Sequence, residues 1–303
     1  MPDLSDFIRP ADLTDLIARA RHEDLGPLNL DATTSLFVDA AETCTAHVVS
    51  RQTGTLAGLA LLPAVVAAYD ATISLDTSTT DGAAIKLGNT VASFKGSLRS
   101  ILTLERVALN LLGHLSGIAT HTAAFATQIK HTSAKVYDTR KTLPGLRSLQ
   151  KYAVACGGGG THRMGLYDAV MVKDNHLAHV ALDDYTATLQ AMAQQARHDV
   201  PALKFVMVEV DTLEQLDRVL PAGVDIVLLD NMPPDILKQA VAKRNAIAPN
   251  IKLEASGGIT LNTVKAIAET GVERISVGAL THSSINLDLG LDIQTHSSHG
   301  GAA

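Results

Sequence analysis

Apolar and polar positions in the second half of the chain follow two alternating periods. Short runs rich in β-branched residues predict buried strands: Val136-Tyr137, Val170-Met171-Val172, Phe205 to Val208, Ile226 to Leu229, Ile251 to Ala255 and Ile275 to Val277. Continuous apolar runs of this length suit strands covered on both faces. Segments of helical period separate them. Leu146, Leu149, Tyr152, Ala153 and Cys156 fall on one helix face, as do Leu182, Tyr185, Leu189, Met192, Ala193 and Ala196. Leu213, Leu216, Val219 and Leu220 repeat the pattern, and so do Leu261, Val264, Ile267 and Ala268. Strands that alternate with helices pair in parallel through right-handed crossovers. Six of them favour an α/β fold built on an incomplete parallel β/α barrel, with an open doubly wound sheet as the alternative.

The first half reads differently. Asp12 to Ala20 predicts a helix, Ala46 to Arg51 a strand and Leu59 to Ala68 a helix, while Asp81-Gly82 and Gly88-Asn89 are turn signals between short strands. A long helix is expected from about Leu102 to Ile129. The expected division is an N-terminal α/β sandwich domain over residues 1–115 and a barrel domain over 116–282. Residues 283–294 are expected to pack back on the first domain, and 295–303, rich in Ser, His and Gly, to form a disordered tail. A solvated tail is the reading for His296 and His299, rather than a metal site.

Charges concentrate where the predicted strands end. The first strand runs into Asp138-Thr139-Arg140-Lys141, the second into Lys173-Asp174-Asn175-His176 and the third into Glu209 and Asp211. The fourth ends in Asp230-Asn231, the fifth in Glu254 and Ser256-Gly257-Gly258, and the sixth in Gly278. In parallel α/β architectures these C-terminal ends share one face, where ligands bind. Arg140, Lys141, His162, Arg163 and Lys173 then form a cationic group, which is costly to desolvate unless anions pair with it. Arginine suits bidentate contacts to carboxylate or phosphate, and lysine point-charge contacts. Glu209 and Asp230 offer a pair of carboxylates for magnesium, or alternatively neutralise the cations without metal. Ser256-Gly257-Gly258 and the loop at Gly278-Ala279 present backbone amides suited to phosphate. Gly157 to Gly160 follows a helix rather than a strand, so it reads as a connection placing His162 and Arg163, not as a dinucleotide loop.

Composition narrows the rest. The chain has 303 residues, 46% hydrophobic and 18% charged, enough for one or two domains. A formal net charge of −6 removes any global attraction to nucleic acid or anionic membrane, and with 3% aromatics and no Trp a base-stacking platform is not expected. Cys44 and Cys156 cannot build a disulfide framework and read as small buried hydrophobes in a reducing compartment. The opening residues, with Asp3 and Asp6, do not read as a signal peptide, and the stretch from Leu56 to Tyr69 is too short to span a bilayer. A soluble cytoplasmic protein is expected.

Taken together, the motifs resemble one family. Asp138-Thr139-Arg140-Lys141-Thr142 with Pro144-Gly145-Leu146-Arg147, His162-Arg163 and Val172-Lys173-Asp174-Asn175-His176 are similar to segments of quinolinate phosphoribosyltransferases. So are Glu209-Val210-Asp211, Leu229-Asp230-Asn231, Glu254-Ala255-Ser256-Gly257-Gly258-Ile259 and the run from Ser276 to His282. Glu23 to Gly26, Leu56 to Gly58 and Leu104 to Asn110 extend the resemblance over nearly the whole chain. It implies phosphoribosyl transfer from phosphoribosyl pyrophosphate to quinolinate with decarboxylation, in NAD biosynthesis, by at least a homodimer. It also implies that quinolinate lies among Thr139, Arg140, His162, Arg163 and Lys173, with Arg106 reaching in from the partner subunit. Lys141 and Lys173 would contact phosphoribosyl pyrophosphate, and Glu209 and Asp230 its Mg2+ and ribose. Ser256, Gly257, Gly258 and Gly278 would hold its 5′-phosphate, and Lys141, Lys173, Glu209 and Asp230 would be the catalytic set. The alternatives are a paralogue acting on another heterocyclic acid, a Schiff-base aldolase-type barrel using Lys173, and a non-catalytic binding protein.

Overall fold

The computed structural model describes residues 2–295. Of the expected tail, only Thr295 falls within them, as the last residue of a strand; His296 and His299 lie outside the described residues. The chain begins with helices α1 (Pro10–Leu25) and α2 (Ala32–Phe37), then strands β1 (Thr43–Ser50) and β2 (Gly54–Thr55) and helix α3 (Leu62–Tyr69). Strands β3 (Ser74–Thr77), β4 (Ala84–Ile85) and β5 (Thr90–Ser97) lead into α4 (Leu98–Ile129), which starts four residues before its expected Leu102. There follow β6 (Lys135–Tyr137), α5 (Arg147–Cys156), β7 (Val170–Val172), α6 (Asp174–Leu177) and α7 (Tyr185–Asp199). The chain continues through β8 (Val206–Val210), α8 (Leu213–Val219), β9 (Ile226–Asp230) and α9 (Pro234–Ile247). It ends with β10 (Lys252–Ser256), α10 (Val264–Ala268), β11 (Arg274–Ser276), α11 (Ala279–His282) and β12 (Leu289–Thr295). Among the described residues, no helix is long and apolar enough to cross a membrane.

The described residues form two compact units: 2–121 with 144–158 and 284–295, and 122–143 with 159–283. The first unit holds an antiparallel sheet in the order β12-β1-β5-β3. Alternation makes this sheet: Cys44, Ala46 and Val48 of β1 are buried while Thr45 and His47 are less so. The hydrophobic residues Val91, Ala92 and Phe94 supply the buried positions of β5.

Helix α5 also belongs to the first unit, although its sequence neighbours β6 and β7 are barrel strands. It is buried around most of its circumference, Gln150 and Lys151 included, rather than on one face. Gln150 tolerates burial because its side-chain amide meets His114 Nε2 at 2.8 Å. The Tyr152 hydroxyl donates to Asp81 at 2.6 Å, and Asp81 also accepts the amides of Leu59 and Ala60.

The second unit is a parallel sheet in the order β6-β11-β10-β9-β8-β7, so β6 and β7 are its unjoined edges and the barrel is incomplete. All six expected strands are present, within one or two residues at their ends. Ile226, Val227, Leu228 and Leu229 of β9 are all buried, as a continuous apolar strand requires. Gly160 serves the open side of β6: its amide donates to Val136 O at 2.7 Å and its carbonyl accepts from the Asp138 amide at 3.2 Å. Any side chain at 160 would run into the Tyr137 ring, so the glycine is what lets the chain lie this close. The expected turn of helix at Leu261 is absent, because α10 starts only at Val264.

Candidate active site

The parallel strands carry Arg140, Lys141, Lys173, Glu209 and Asp230 to a single cavity of about 760 Å³, whereas Asp138, Asp174, His176, Asp211 and Glu254 are not among its lining residues. That size suits a small-molecule site. Every residue lining it lies within the second unit. Thr139, Arg140 and Lys141 follow β6, His162 and Arg163 follow the Gly160 bridge, and Lys173 follows β7. Glu209 is the next-to-last residue of β8, and Asp230 ends β9, level with Ser256 at the end of β10. Gly257, Gly258 and Gly278 complete the expected set. Arg106 is not among the lining residues: it is exposed on α4 in the first unit.

Local structure explains these placements. Asn231 adopts a left-handed backbone (φ 53°), and its amide donates to Ser256 O at 2.9 Å, locking the ends of β9 and β10 together. Gly257 has φ +96° beside it, and a Cβ there would strike the Asn231 side chain. On the other wall, the Lys141 amide donates to Thr139 Oγ1 at 3.0 Å, and the Lys141 carbonyl accepts from Thr281 Oγ1 at 2.7 Å. The Lys173 amide donates to His176 Nδ1 at 2.9 Å, while its ammonium meets Glu209 Oε2 at 2.5 Å.

The cations are held close without full compensation. Burial, and then the charge of Arg140, hold the Arg163 guanidinium below its ordinary pKa, with Asp168 opposing. Arg163 Nη1 donates to Ala169 O at 3.2 Å, and the Arg140 Nε is buried without a hydrogen-bond partner. Asp168 shapes the loop that follows Arg163. Burial raises its pKa, but the Gly165 and Met164 amides and Lys204 outweigh that and hold it below the usual carboxylate value.

Beneath the cations lies a buried polar web that the strand-end pattern gives no reason to expect. Glu254, fully buried inside β10, accepts from Arg274 Nε at 2.5 Å and from the Ser276 hydroxyl, and faces His162 Nε2 at 3.5 Å. Burial pushes its carboxyl pKa up, while Arg274 and Ser276 offset part of the rise. Arg274 stacks over the Tyr137 ring at 3.6 Å. The buried Asp138 carboxylate accepts the His162 amide at 2.8 Å. Asn231, Ser276 and His282 also line the cavity, and they too are additions to the expected set. In the sequence Glu254 reads as a charge at the end of the fifth strand, whereas Arg274 lies just before the sixth and carries no signal of its own.

Among the described residues, no group of three or more His, Cys, Asp or Glu could hold a metal. Glu209 and Asp230 nevertheless share one cavity, and two carboxylates suit a magnesium ion whose other ligands are water and substrate phosphates. Glu209 would have to share such an ion with Lys173 or exchange one for the other.

The chain is similar to known proteins over nearly its whole length. Profiles for the N-terminal and C-terminal domains of quinolinate phosphoribosyl transferase match residues 31–116 and 118–292. The nicotinate-nucleotide pyrophosphorylase (carboxylating) of Mycobacterium leprae is 43% identical over 284 residues, covering 92% of this chain and 96% of that one. A probable enzyme of the same name from Bacillus subtilis is 40% identical, covering 89% and 90%. The solved nicotinate-nucleotide pyrophosphorylase of Francisella tularensis superposes with a TM-score of 0.86 at 35% identity, covering 97% of this chain and all of that one.

Proposed function

The chain belongs to the quinolinate phosphoribosyl transferase family, and from that premise we propose that its cavity joins quinolinate to phosphoribosyl pyrophosphate. The products are nicotinate mononucleotide, carbon dioxide and pyrophosphate, a step of NAD biosynthesis. One observation carries the reading. Arg140, Lys141, Arg163 and Lys173 line a single cavity against only two carboxylates, Glu209 and Asp230, in a chain of net charge −6. A local excess of cations, with Arg163 buried and Arg140 half-buried, calls for polyanionic substrates, and both of these qualify.

Arg140 and Arg163 pair the adjacent carboxylates of quinolinate, with Thr139 and His162 beside them. Lys141 and Lys173 face phosphoribosyl pyrophosphate, Glu209 and Asp230 its ribose, and Ser256, Gly257, Gly258 and Gly278 its 5′-phosphate. Departure of pyrophosphate breaks the ribose C1–O bond, and the pyridine nitrogen, held in line, forms the C1–N bond. The 2-carboxylate then leaves as carbon dioxide. Its bonding electrons stay on the ring carbon beside the quaternised nitrogen, which a proton from solvent completes. Lys141 and Lys173 stabilise charge on the leaving oxygens. Glu209 and Asp230 would hold Mg2+, which when bound offsets the pyrophosphate charge.

The reading extends to a cytoplasmic homodimer in which Arg106 serves the partner's pocket. Against a Schiff-base aldolase stands the Lys173–Glu209 ion pair, since such an enzyme needs an uncommitted amine. The test is release of carbon dioxide from quinolinate labelled in its 2-carboxylate. Release is expected only with phosphoribosyl pyrophosphate and magnesium together, and none under those conditions would overturn the function.

A further inference from the structure

The first unit holds a second cavity, of about 190 Å³, that the proposed reaction leaves unused. It shares no lining residue with the catalytic cavity. Arg21 of α1, Tyr69 of α3 and Arg99, Ser100 and Thr103 of α4 line it, with Asp31 just before α2. The volume lies below the roughly 300–1,000 Å³ of drug-sized sites, yet it has room for a small ion with water. Donors on its walls are not matched from within. Arg21 Nε and the Tyr69 hydroxyl are both buried, and neither has a hydrogen-bond partner. The two side chains stand together, with the Arg21 guanidinium 5.5 Å from the Tyr69 ring centroid. The neighbouring carboxylates are committed to other donors. Asp31 accepts from the Thr34 amide at 2.9 Å and the Thr103 hydroxyl at 3.2 Å, and Asp70 from the Thr72 amide at 2.9 Å and the Ser100 hydroxyl at 2.7 Å. Arg99 is fixed in place, donating through Nε to Val38 O at 2.8 Å and through Nη2 to Ser35 O at 3.2 Å.

We propose that this cavity is a binding site for a small tetrahedral oxyanion of the phosphate type, received by the Arg21 and Arg99 guanidinium groups and the Tyr69 hydroxyl. Two buried donors without partners call for an acceptor, and two guanidinium groups against one lining carboxylate call for a charged one. A tetrahedral dianion presents oxygens to both arginines and the phenol at once, whereas the planar oxygen pair of a carboxylate matches a single arginine fork. Burial, and then the charge of Asp24, push the Tyr69 hydroxyl up to about 12, with Arg21 opposing, so the phenol stays a donor at neutral pH.

Phosphate can also enter the catalytic cavity, so the measurement has to report on this site alone. The probe is inorganic phosphate, titrated into the intact protein at constant ionic strength with chloride as the balancing anion. The readout is the ¹H–¹⁵N signal of Arg21 Nε, identified by its loss in Arg21→Lys. We expect that signal to move saturably with phosphate, and to move equally in Lys141→Ala/Lys173→Ala, where the catalytic cavity has lost two cations. Acetate at the same concentrations should leave it almost unchanged. Tyr69→Phe and Arg99→Ala should each weaken the phosphate affinity read at Arg21 about tenfold, the scale of one charge-assisted hydrogen bond. Thermal melts in chloride show that each variant is folded, and either variant alone is enough to test the site. An Arg21 signal unmoved up to tens of millimolar phosphate would overturn the inference. So would an equal response to acetate, a response lost in Lys141→Ala/Lys173→Ala, or folded variants that keep wild-type affinity. None of these outcomes depends on quinolinate turnover, so failure of the functional reading and failure of this one are separate results.

Discussion

Arg140 and Arg163 stand in one cavity with little internal compensation: burial and the neighbouring charge hold Arg163 below its ordinary pKa, and Arg140 Nε has no protein partner. Anions arriving there recover what desolvation costs. Arg140→Ala or Arg163→Ala should therefore lower kcat/KM for quinolinate by roughly 10²–10³-fold, the scale of losing a preorganised charged contact. Glu209→Ala and Asp230→Ala should act instead on the KM for phosphoribosyl pyrophosphate and on magnesium dependence. Binding titrations with each substrate separate the two groups, and carboxylate variants that lose quinolinate affinity while the arginine variants keep it would reverse the subsites. Asp168 adds a pH dependence at the same scale. A carboxyl held below its unfolded pKa adds stability that is complete above the unfolded value and fades as pH falls through the folded one. Asp168→Asn should cost about 1–3 kcal/mol at pH 7, because two amides and Lys204 lose a charged acceptor. That gap should shrink as pH falls below the ordinary carboxylate range towards the lowered folded value, where the wild-type carboxyl also protonates. Urea melts at pH 7 and pH 3 check this, and an equal gap at both would mean that ionisation of Asp168 contributes nothing.

Element by element, legibility in the sequence depended on whether one face alone carried the signal. The barrel strands were readable because runs such as Ile226 to Leu229 are apolar throughout and end abruptly in charge. Helix α9 carried no such signal, since its buried positions are Leu237, Ala240 and Arg244, and an arginine breaks the apolar period. Arg244 is tolerated there because Glu273 pairs with it at 2.6 Å, a partner nearly thirty residues away that periodicity cannot reveal. The same blindness hid the partner of Glu254, which reads as strand-end polarity until its pairing with Arg274 across β10 and β11 is known. The period of α5 marks it as a helix but does not say which unit it packs in. Its buried Tyr152 decides that through Asp81 of the first unit. Tyr152→Phe should thus lower stability by about 1–2 kcal/mol while leaving kcat/KM within error. Thermal melts and the carbon dioxide assay on one preparation would show it, and a variant as stable as wild type would mean the bond contributes nothing net.

For the molecule as a whole, Arg106 is the one expected site residue that is not among the residues lining the cavity: it is exposed on α4, and no ion pair with Glu105 is formed among the described residues. The motif resemblance could propose its role, but neither periodicity nor charge could, because its expected target belongs to another chain. In the proposed two-fold dimer, Arg106 and Arg140 of one pocket come from different subunits. Arg106→Ala and Arg140→Ala homodimers should each be nearly inactive. In a mixed dimer, one pocket takes Arg106 from the Arg140→Ala chain and Arg140 from the Arg106→Ala chain, so it is intact, while the other pocket loses both. Random reassociation of equal amounts makes half the dimers mixed, each with one good site in two, so about a quarter of wild-type activity should return. The two variants would be denatured and refolded together, and carbon dioxide release compared with each refolded alone. Mixed dimers proven by mass spectrometry yet inactive would place Arg106 in its own chain's reaction or outside catalysis, and would remove the shared pocket from the functional proposal.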